Sequence, residues 1–226
     1  MPALSRRFVA ELFGTFTLVF FGCASVITNA YPGTNVGLVG IALAHALALS
    51  VAVTATMAIS GGHLNPAVTI ALATVGRVDW RTAGVHLAAQ LAAAVLSAFA
   101  LKAFFPAAIA SVVAWGTPQL SINVSLLQGI ALEALMTFFL VSAIYGTAIS
   151  VNAPKVGGFG IGLTLGFLII GGGTLTGAAM NPARAVGPAI AAANWTAHAV
   201  YWIGPIVGAL LAALLWDRFL LRGEPR

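Results

Sequence analysis

The chain has 226 residues, of which 60% are hydrophobic and only 7% are charged, and its formal net charge is +5. Roughly a quarter of the residues of a soluble domain are charged, so this composition excludes an ordinary water-facing surface and predicts a membrane protein. A single cysteine, Cys23, excludes an internal disulfide and a thiolate metal site. We expect it to be a small buried helix residue.

Six segments are apolar and long enough to span a bilayer, which takes about 20 residues. They are separated by turn-forming sequences such as "NAYPGTN" and "NAPKVGG". The sequence therefore predicts an all-α membrane protein, with a long connection of unassigned role between residues 101 and 123. The predicted spans, with soft ends, are Phe8–Thr28, Val36–Ser60, Thr82–Phe105, Val124–Ser150, Val156–Gly173 and Thr196–Leu221.

The basic residues indicate how these spans are oriented. With six spans both termini lie on one side of the membrane, and eight basic residues fall on that side, whereas Lys102 falls opposite and Arg184 lies within the membrane region. By the positive-inside rule we predict cytoplasmic termini, in the cell (plasma) membrane, and no nucleic-acid partner. The eight residues are Arg6, Arg7, Arg77, Arg81, Lys155, Arg218, Arg222 and Arg226.

Small residues recur every four positions in two of the predicted spans. Small side chains on one stripe of a helix allow membrane helices to approach closely, so we expect tight helix packing along both stripes. The stripe of the second span is Ala42, Ala46, Ser50, Thr54 and Ala58, and that of the fifth span is Gly158, Gly162 and Gly166.

The chain also contains an internal repeat. "AELFGTFTLVFFG" resembles "LEALMTFFLVSAIYG", which aligns Glu11 with Glu133, and an Asn-Pro-Ala tripeptide follows in each half. We infer a single domain of two repeats, about 8–105 and 124–221. Because each repeat holds three spans, the second enters the membrane upside down, as in many channels and transporters.

Each Asn-Pro-Ala tripeptide begins a run too short to span a bilayer. The first run ends near Thr74, about 15 Å from its start at 1.5 Å per residue. Asn is a preferred N-cap and Pro a preferred first helical residue, so we predict two half-membrane helices. Glycines are expected to let the preceding chain enter as extended backbone. The tripeptides are Asn65-Pro66-Ala67 and Asn181-Pro182-Ala183, and the glycines are Gly61, Gly62 and Gly177.

Inversion brings the two half-helices in from opposite faces, so that their positive dipole ends meet near the midplane. The two asparagine amides then donate hydrogen bonds to a water oxygen, and a cation or hydronium ion is repelled. Carbonyl groups leading to this point are expected to accept hydrogen bonds from permeating water. The carbonyls are those of Gly61, Gly62, His63, Gly177, Ala178 and Ala179.

The motifs "SGGHLNPAVT" and "TGAAMNPAR", with the repeated glutamate, closely resemble those of the aquaporin (major intrinsic protein) family over nearly the whole chain. The resemblance implies six membrane helices plus two re-entrant half-helices, and a homotetramer in the lipid bilayer with one pore per subunit. It implies a passive channel for water and small neutral solutes that excludes protons and ions. Neither a cofactor nor a metal is implied.

The resemblance also implies a selectivity filter of His45, Ile169, Ala178 and Arg184. This set looks like that of plant tonoplast-type aquaporins, so ammonia, urea and hydrogen peroxide are candidate solutes beside water. Glycerol facilitators, the alternative within the family, usually have an acidic residue after the filter arginine and a basic residue four positions later. This chain has Ala185 and Ala189 there, and Tyr201-Trp202 matches the pattern of water channels.

Individual polar residues receive further expectations. Arg184 is expected to donate hydrogen bonds to the solute and repel cations, and His45 could pair with it across the pore. We expect the ring of His63 to brace the first half-helix. Glu11 and Glu133 are expected to accept backbone N–H groups, with a proton relay as the alternative. His86 and His198 are expected to be structural.

Two other classes of function compete with a passive channel. A secondary transporter would want an acidic coupling residue at the helix breaks, and none lies near Asn65 or Asn181 in sequence. An intramembrane enzyme would want a nucleophile and base on facing spans, and no such arrangement is evident. We therefore predict that the chain is not an enzyme.

Overall fold

The computed structural model describes residues 3–154 and 156–224. Lys155 and Arg226, two of the eight basic residues predicted on the side of the termini, lie outside the described residues. Within the described residues six helices are long and apolar enough to cross a membrane. Short 3-10 and π-helical turns follow three of the helices, at Ser111–Gly116, Tyr145–Ile149 and Trp216–Leu220. The helices are α1 Leu4–Asn29, α2 Gly37–Ser60, α3 Pro66–Thr74, α4 Trp80–Phe104, α5 Ala107–Ala110, α6 Leu126–Ile144, α7 Gly157–Thr176, α8 Pro182–Ala192 and α9 Val200–Leu215.

All six predicted spans are confirmed, and hydrogen-bonded caps explain two of the shifted boundaries. α4 begins at Trp80 rather than Thr82, because the carboxylate of Asp79 accepts the backbone N–H of Thr82 at 2.9 Å. α6 begins two residues later than predicted, because Ser125 and Gln128 form a reciprocal capping box.

The two stripes of small residues pack against each other, which joins α2 to α7. A Cβ added at Gly166 would lie 3.1 Å from the Cβ of Ala46, and one added at Gly162 would collide with Ser50 and the Ala46 carbonyl. α6 and α9 meet in the same way, because Gly208 lies against the backbone of Ala134. Glycine at these crossings lets the helix backbones approach without a side chain between them.

The end of the described chain is tied to the loop between α6 and α7. The carboxylate of Glu224 accepts the backbone N–H of Val151 at 3.0 Å and the hydroxyl of Ser150 at 2.9 Å. The Val151 N–H is the largest cause that lowers the pKa of Glu224. Because the folded pKa is depressed, these bonds stabilise the fold above the ordinary pKa and are lost as the pH falls through the lowered value. Nearby, Arg77 pairs with Asp217 at 2.6 Å.

The α2–α7 crossing gives a first testable prediction. Gly162→Val should lower the free energy of unfolding by at least about 1–3 kcal/mol, because overpacking forces two buried backbones apart. Gly171→Val on the same helix is the matched control, since nothing lies within 4 Å of its added Cβ. The measurement is the apparent melting temperature of both variants in detergent. Equal melting temperatures would contradict the proposed close crossing.

Candidate functional site

The two half-helices α3 and α8 begin beside each other, and each is capped by its own asparagine. The side-chain oxygen of Asn65 accepts the backbone N–H of Ala67 at 2.9 Å, and that of Asn181 accepts the N–H of Ala183 at 2.9 Å. Pro66 and Pro182 occupy the first helical positions. The local chemistry that starts each helix therefore also fixes the direction of its asparagine side chain.

The asparagines also join the two half-helices. Nδ2 of Asn65 donates to the carbonyl of Met180 at 2.8 Å, and Nδ2 of Asn181 donates to the carbonyl of Leu64 at 2.9 Å. An amide nitrogen carries two hydrogens, so each asparagine keeps one N–H for a molecule in the channel. Sequence reasoning assigned these amides to the solute and missed the crossed bonds, which join residues 115 and 117 positions apart.

The backbone that leads to each asparagine is not extended at its glycines, so that expectation was wrong. Gly61, Gly62 and Gly177 have φ values of +94°, +62° and +81°, in the left-handed region, which glycine adopts without a steric penalty. Leu64 and Met180 are also left-handed, each with a φ of +51°. The physical reason is that the loop turns its N–H groups towards a buried carboxylate.

Glu11 and Glu133 are these carboxylates, and both are fully buried. Glu11 accepts the N–H of His63 at 3.0 Å and that of Leu64 at 2.7 Å. Glu133 makes the equivalent bonds at 3.0 and 2.7 Å to Ala179 and Met180. A hydroxyl adds to each set, from Ser60 at 2.6 Å and from Thr176 at 2.7 Å, and Glu11 also accepts from the amide of Gln90 at 2.8 Å. With its N–H groups bound behind it, each loop is left with carbonyls for the channel.

Arg184 and His45 contact each other on the side away from the termini. Nε of Arg184 lies 3.2 Å from Nε2 of His45, and Nδ1 of His45 lies 2.9 Å from the carbonyl of Ile41. A carbonyl only accepts, so the histidine hydrogen is on Nδ1, and Nε2 accepts from the arginine. This arrangement uses both nitrogens of a neutral ring, which makes His45 a support for Arg184 rather than a donor to the solute.

The long connection between α4 and α6 supplies the second support for Arg184. The Gly116 carbonyl accepts a hydrogen bond from its guanidinium at 2.9 Å. Ala114, Trp115 and Gly116 are all left-handed, with φ values of +45°, +57° and +79°. Trp115 is buried in an apolar cluster with Cys23, which holds this turn in place. No sequence motif marks such a turn, so sequence reasoning could not assign the connection a role.

A narrow cavity of about 20 Å³ runs past these groups, a volume close to what one water molecule needs. Both asparagines, His45 and Arg184 line it. Of the predicted carbonyl residues Gly62, His63, Ala178 and Ala179 line it, whereas Gly61 lines only a wider cavity of about 370 Å³ on the terminal side. Gly177 lines neither cavity and packs against Pro118. Ile169, predicted as a filter residue with His45, Ala178 and Arg184, also lines neither cavity and packs in the same apolar cluster as Ala178.

Comparison with known proteins identifies the family. The family model described as major intrinsic protein matches residues 1–216. The chain belongs to this family. It is 41% identical over 222 residues to Aquaporin TIP4-4 of Zea mays, covering 94% of this chain and 85% of the relative. It is also 41% identical over 240 residues to Probable aquaporin TIP3-2 of Arabidopsis thaliana, covering 97% and 85%.

A solved structure of the same fold is that of the aquaglyceroporin from Plasmodium falciparum. It superposes with a TM-score of 0.86 and covers 97% of this chain and 98% of that chain. At 23% sequence identity this likeness concerns the fold alone. This chain therefore has the aquaporin fold, with six spanning helices and two half-helices.

The two carboxylates give the second prediction. Glu133→Gln should lower the melting temperature and the channel's permeability, because an amide turns an N–H₂ group towards loop N–H donors that now lack a charged acceptor. Each lost charged hydrogen bond is worth about 1.5–3 kcal/mol. Glu11→Gln should behave alike, whereas Glu224→Gln, whose bonds lie at the surface outside the membrane, should lower the melting temperature less. Equal melting temperatures in all three variants would refute the bracing of the loops by the two glutamates.

Proposed function

We propose that the chain is a passive transmembrane water channel. The observation that carries this proposal is the meeting of two half-helices at one narrow cavity, where Asn65 and Asn181 each keep an amide N–H. Membership of the major intrinsic protein family and relatives named as aquaporins support it.

The proposed mechanism follows from the hydrogen-bonding groups along the path. A water molecule at the centre accepts from the two asparagine N–H groups, so its own hydrogens point away towards the carbonyls of the two loops. A proton cannot be relayed through an oxygen that donates in both directions. A cation meets two positive helix ends and, further along, the guanidinium of Arg184.

The chemistry of the lining favours water over the alternatives. In the described part of the chain no aspartate or glutamate lines either cavity, although a secondary transporter would want an acidic coupling residue. The small cavity and the alanines at 185 and 189 favour water over glycerol. Ammonia, urea and hydrogen peroxide are further candidate solutes. The proposal includes no enzymatic activity and no metal or cofactor.

The assembly and orientation are part of the proposal. Six spans establish a multi-pass integral membrane protein. We place both termini in the cytoplasm, on the basis of the basic residues on that side. A homotetramer with one pore per subunit, and two inverted repeats over 8–105 and 124–221, complete the proposal. The relatives named above give no support for the plasma membrane in particular.

Stopped-flow light scattering of proteoliposomes tests the proposed function. Under an impermeant osmolyte we expect faster shrinkage than in empty liposomes, with a low activation energy. The same vesicles under urea, glycerol or ammonia report which solutes enter. Shrinkage no faster than in empty liposomes would contradict a water channel.

Arg184 gives a prediction about ion exclusion. Arg184→Val should raise the proton leak by at least about tenfold, because the positive charge of the guanidinium beside the narrow cavity is lost. A tenfold rise corresponds to lowering the barrier by about 1.4 kcal/mol. The measurement is the decay of an imposed pH gradient with an enclosed pH-sensitive dye. Arg218→Val, at an exposed arginine, is the matched control and should leave the leak unchanged. Equal leaks in the two variants would refute the role of Arg184.

A further inference from the structure

The two groups that hold the Arg184 guanidinium both lie against one step of α1, at Gly22 and Cys23. A Cβ added at Gly22 would lie 2.5 Å from Nε2 and 2.7 Å from Cδ2 of His45. A Cβ added at Gly116 would lie 3.0 Å from both Cα and Cβ of Cys23. Two successive residues of α1 therefore contact both supports of the arginine.

The glycine at position 22 makes room for a ring and not for a helix crossing. The three heavy atoms nearest to its added Cβ all belong to the imidazole of His45. At Gly162 and Gly208, which lie at helix crossings, the nearest atoms include backbone carbonyls of the facing helix. Glycine weakens a helix interior relative to alanine, and the contact with His45 explains why the 26-residue α1 has one here.

His45 cannot move away from α1 without losing a bond. Its Nδ1 donates to the Ile41 carbonyl at 2.9 Å, and its Nε2 accepts from Nε of Arg184 at 3.2 Å. Packed heavy atoms lie about 3.5–4.0 Å apart, so a side chain at position 22 must displace the ring. The ring lines the narrow cavity, which is the free space beside it, so a displaced ring enters the path of the solute.

Cys23 places the second support. It is fully buried, and it packs in one apolar cluster with Trp115, whose left-handed turn presents the Gly116 carbonyl. Gly116 meets the main chain and Cβ of Cys23, so rotation of the cysteine side chain does not relieve this contact. The 2.9 Å bond between the Gly116 carbonyl and Arg184 is therefore set by the position of α1.

We infer that Gly22 and Cys23 are positioning residues of the filter, and we call the pair the α1 seat. Gly22 sets how far the His45 ring stands out of the path, and Cys23 sets how close the Gly116 carbonyl stands to the arginine. Neither residue of the seat lines the narrow cavity, so both act through side chains that do. This inference rests on the proposed water channel and adds two residues to it.

Replacing the glycine tests its half of the α1 seat. Gly22→Ala should lower water flux at least about threefold, because the displaced ring fills part of a cavity with room for about one water molecule. Gly84→Ala is the matched control, since nothing lies within 4 Å of its added Cβ, and it should leave the flux unchanged. The measurement is stopped-flow light scattering at equal amounts of protein per liposome. A folded Gly22→Ala channel that conducts like the wild type would overturn the role of Gly22.

A double-mutant cycle shows whether Gly22 acts through His45. His45→Ala removes the ring, so Gly22→Ala should have no further effect on flux in the His45→Ala background. The same fractional loss in both backgrounds would mean a packing defect independent of the ring and would overturn the inference. If Gly22→Ala alone does not fold, recovery of folding in the double variant supports the contact, and failure of both variants to fold overturns it.

The role of Cys23 has a different readout, which is the exclusion of protons by Arg184. Cys23→Leu should raise the proton leak several-fold, because a larger side chain beside Trp115 moves the turn and draws the Gly116 carbonyl away from the arginine. Cys23→Val, a smaller enlargement, should act in the same direction if the leucine variant does not fold. Ala24→Leu, at the next residue in an open groove of the outer surface, is the matched control.

The outcomes separate the α1 seat from the proposed function. The proton leak is measured as the decay of an imposed pH gradient, and equal leaks in the variants of Cys23 and in Ala24→Leu would overturn the role of Cys23. A wild-type protein that does not accelerate shrinkage would instead contradict the water channel itself.

Discussion

The structure depends on two buried carboxylates that satisfy non-helical backbone inside a membrane. Hydrocarbon offers no partner to a free N–H, so an irregular loop at this depth is stable only if protein or channel water binds its polar groups. Glu11 and Glu133 bind the N–H groups of both loops from the side away from the cavity. The carbonyls are thereby left for permeating molecules, so the same two side chains that stabilise the fold also make the channel surface polar.

A symmetrical scaffold carries two chemically different ends. The two crossed asparagine bonds have almost the same length, and so do the bonds that the two glutamates accept from their loops. The side chains at equal distances from the two asparagines nevertheless differ, since Arg184 corresponds to Val68 and His45 to Ile161. One end therefore presents a buried cation held by a histidine and a loop carbonyl, and the other presents an aliphatic wall with one histidine.

Much of this arrangement could be predicted from the sequence, and the exceptions have physical reasons. The spans follow from composition, and the half-helices follow from the capping chemistry of Asn65 and Pro66. The loop conformation was predicted wrongly, because a glycine pair permits extended and left-handed backbone alike. The support of Arg184 by Gly116 was also out of reach, because a carbonyl has no sequence signature and its position depends on how Trp115 packs.

The crossed asparagine bonds bear on how the chain enters the membrane. A nascent first half carries Leu64 and Asn65 to the bilayer centre before their partners, Met180 and Asn181, have been synthesised. Until then one carbonyl and one amide at that depth lack their final hydrogen bonds. The polar groups of the loop must therefore be hydrogen-bonded to water or to another protein. We therefore expect the first half-helix to reach its final position only after the second half has been synthesised.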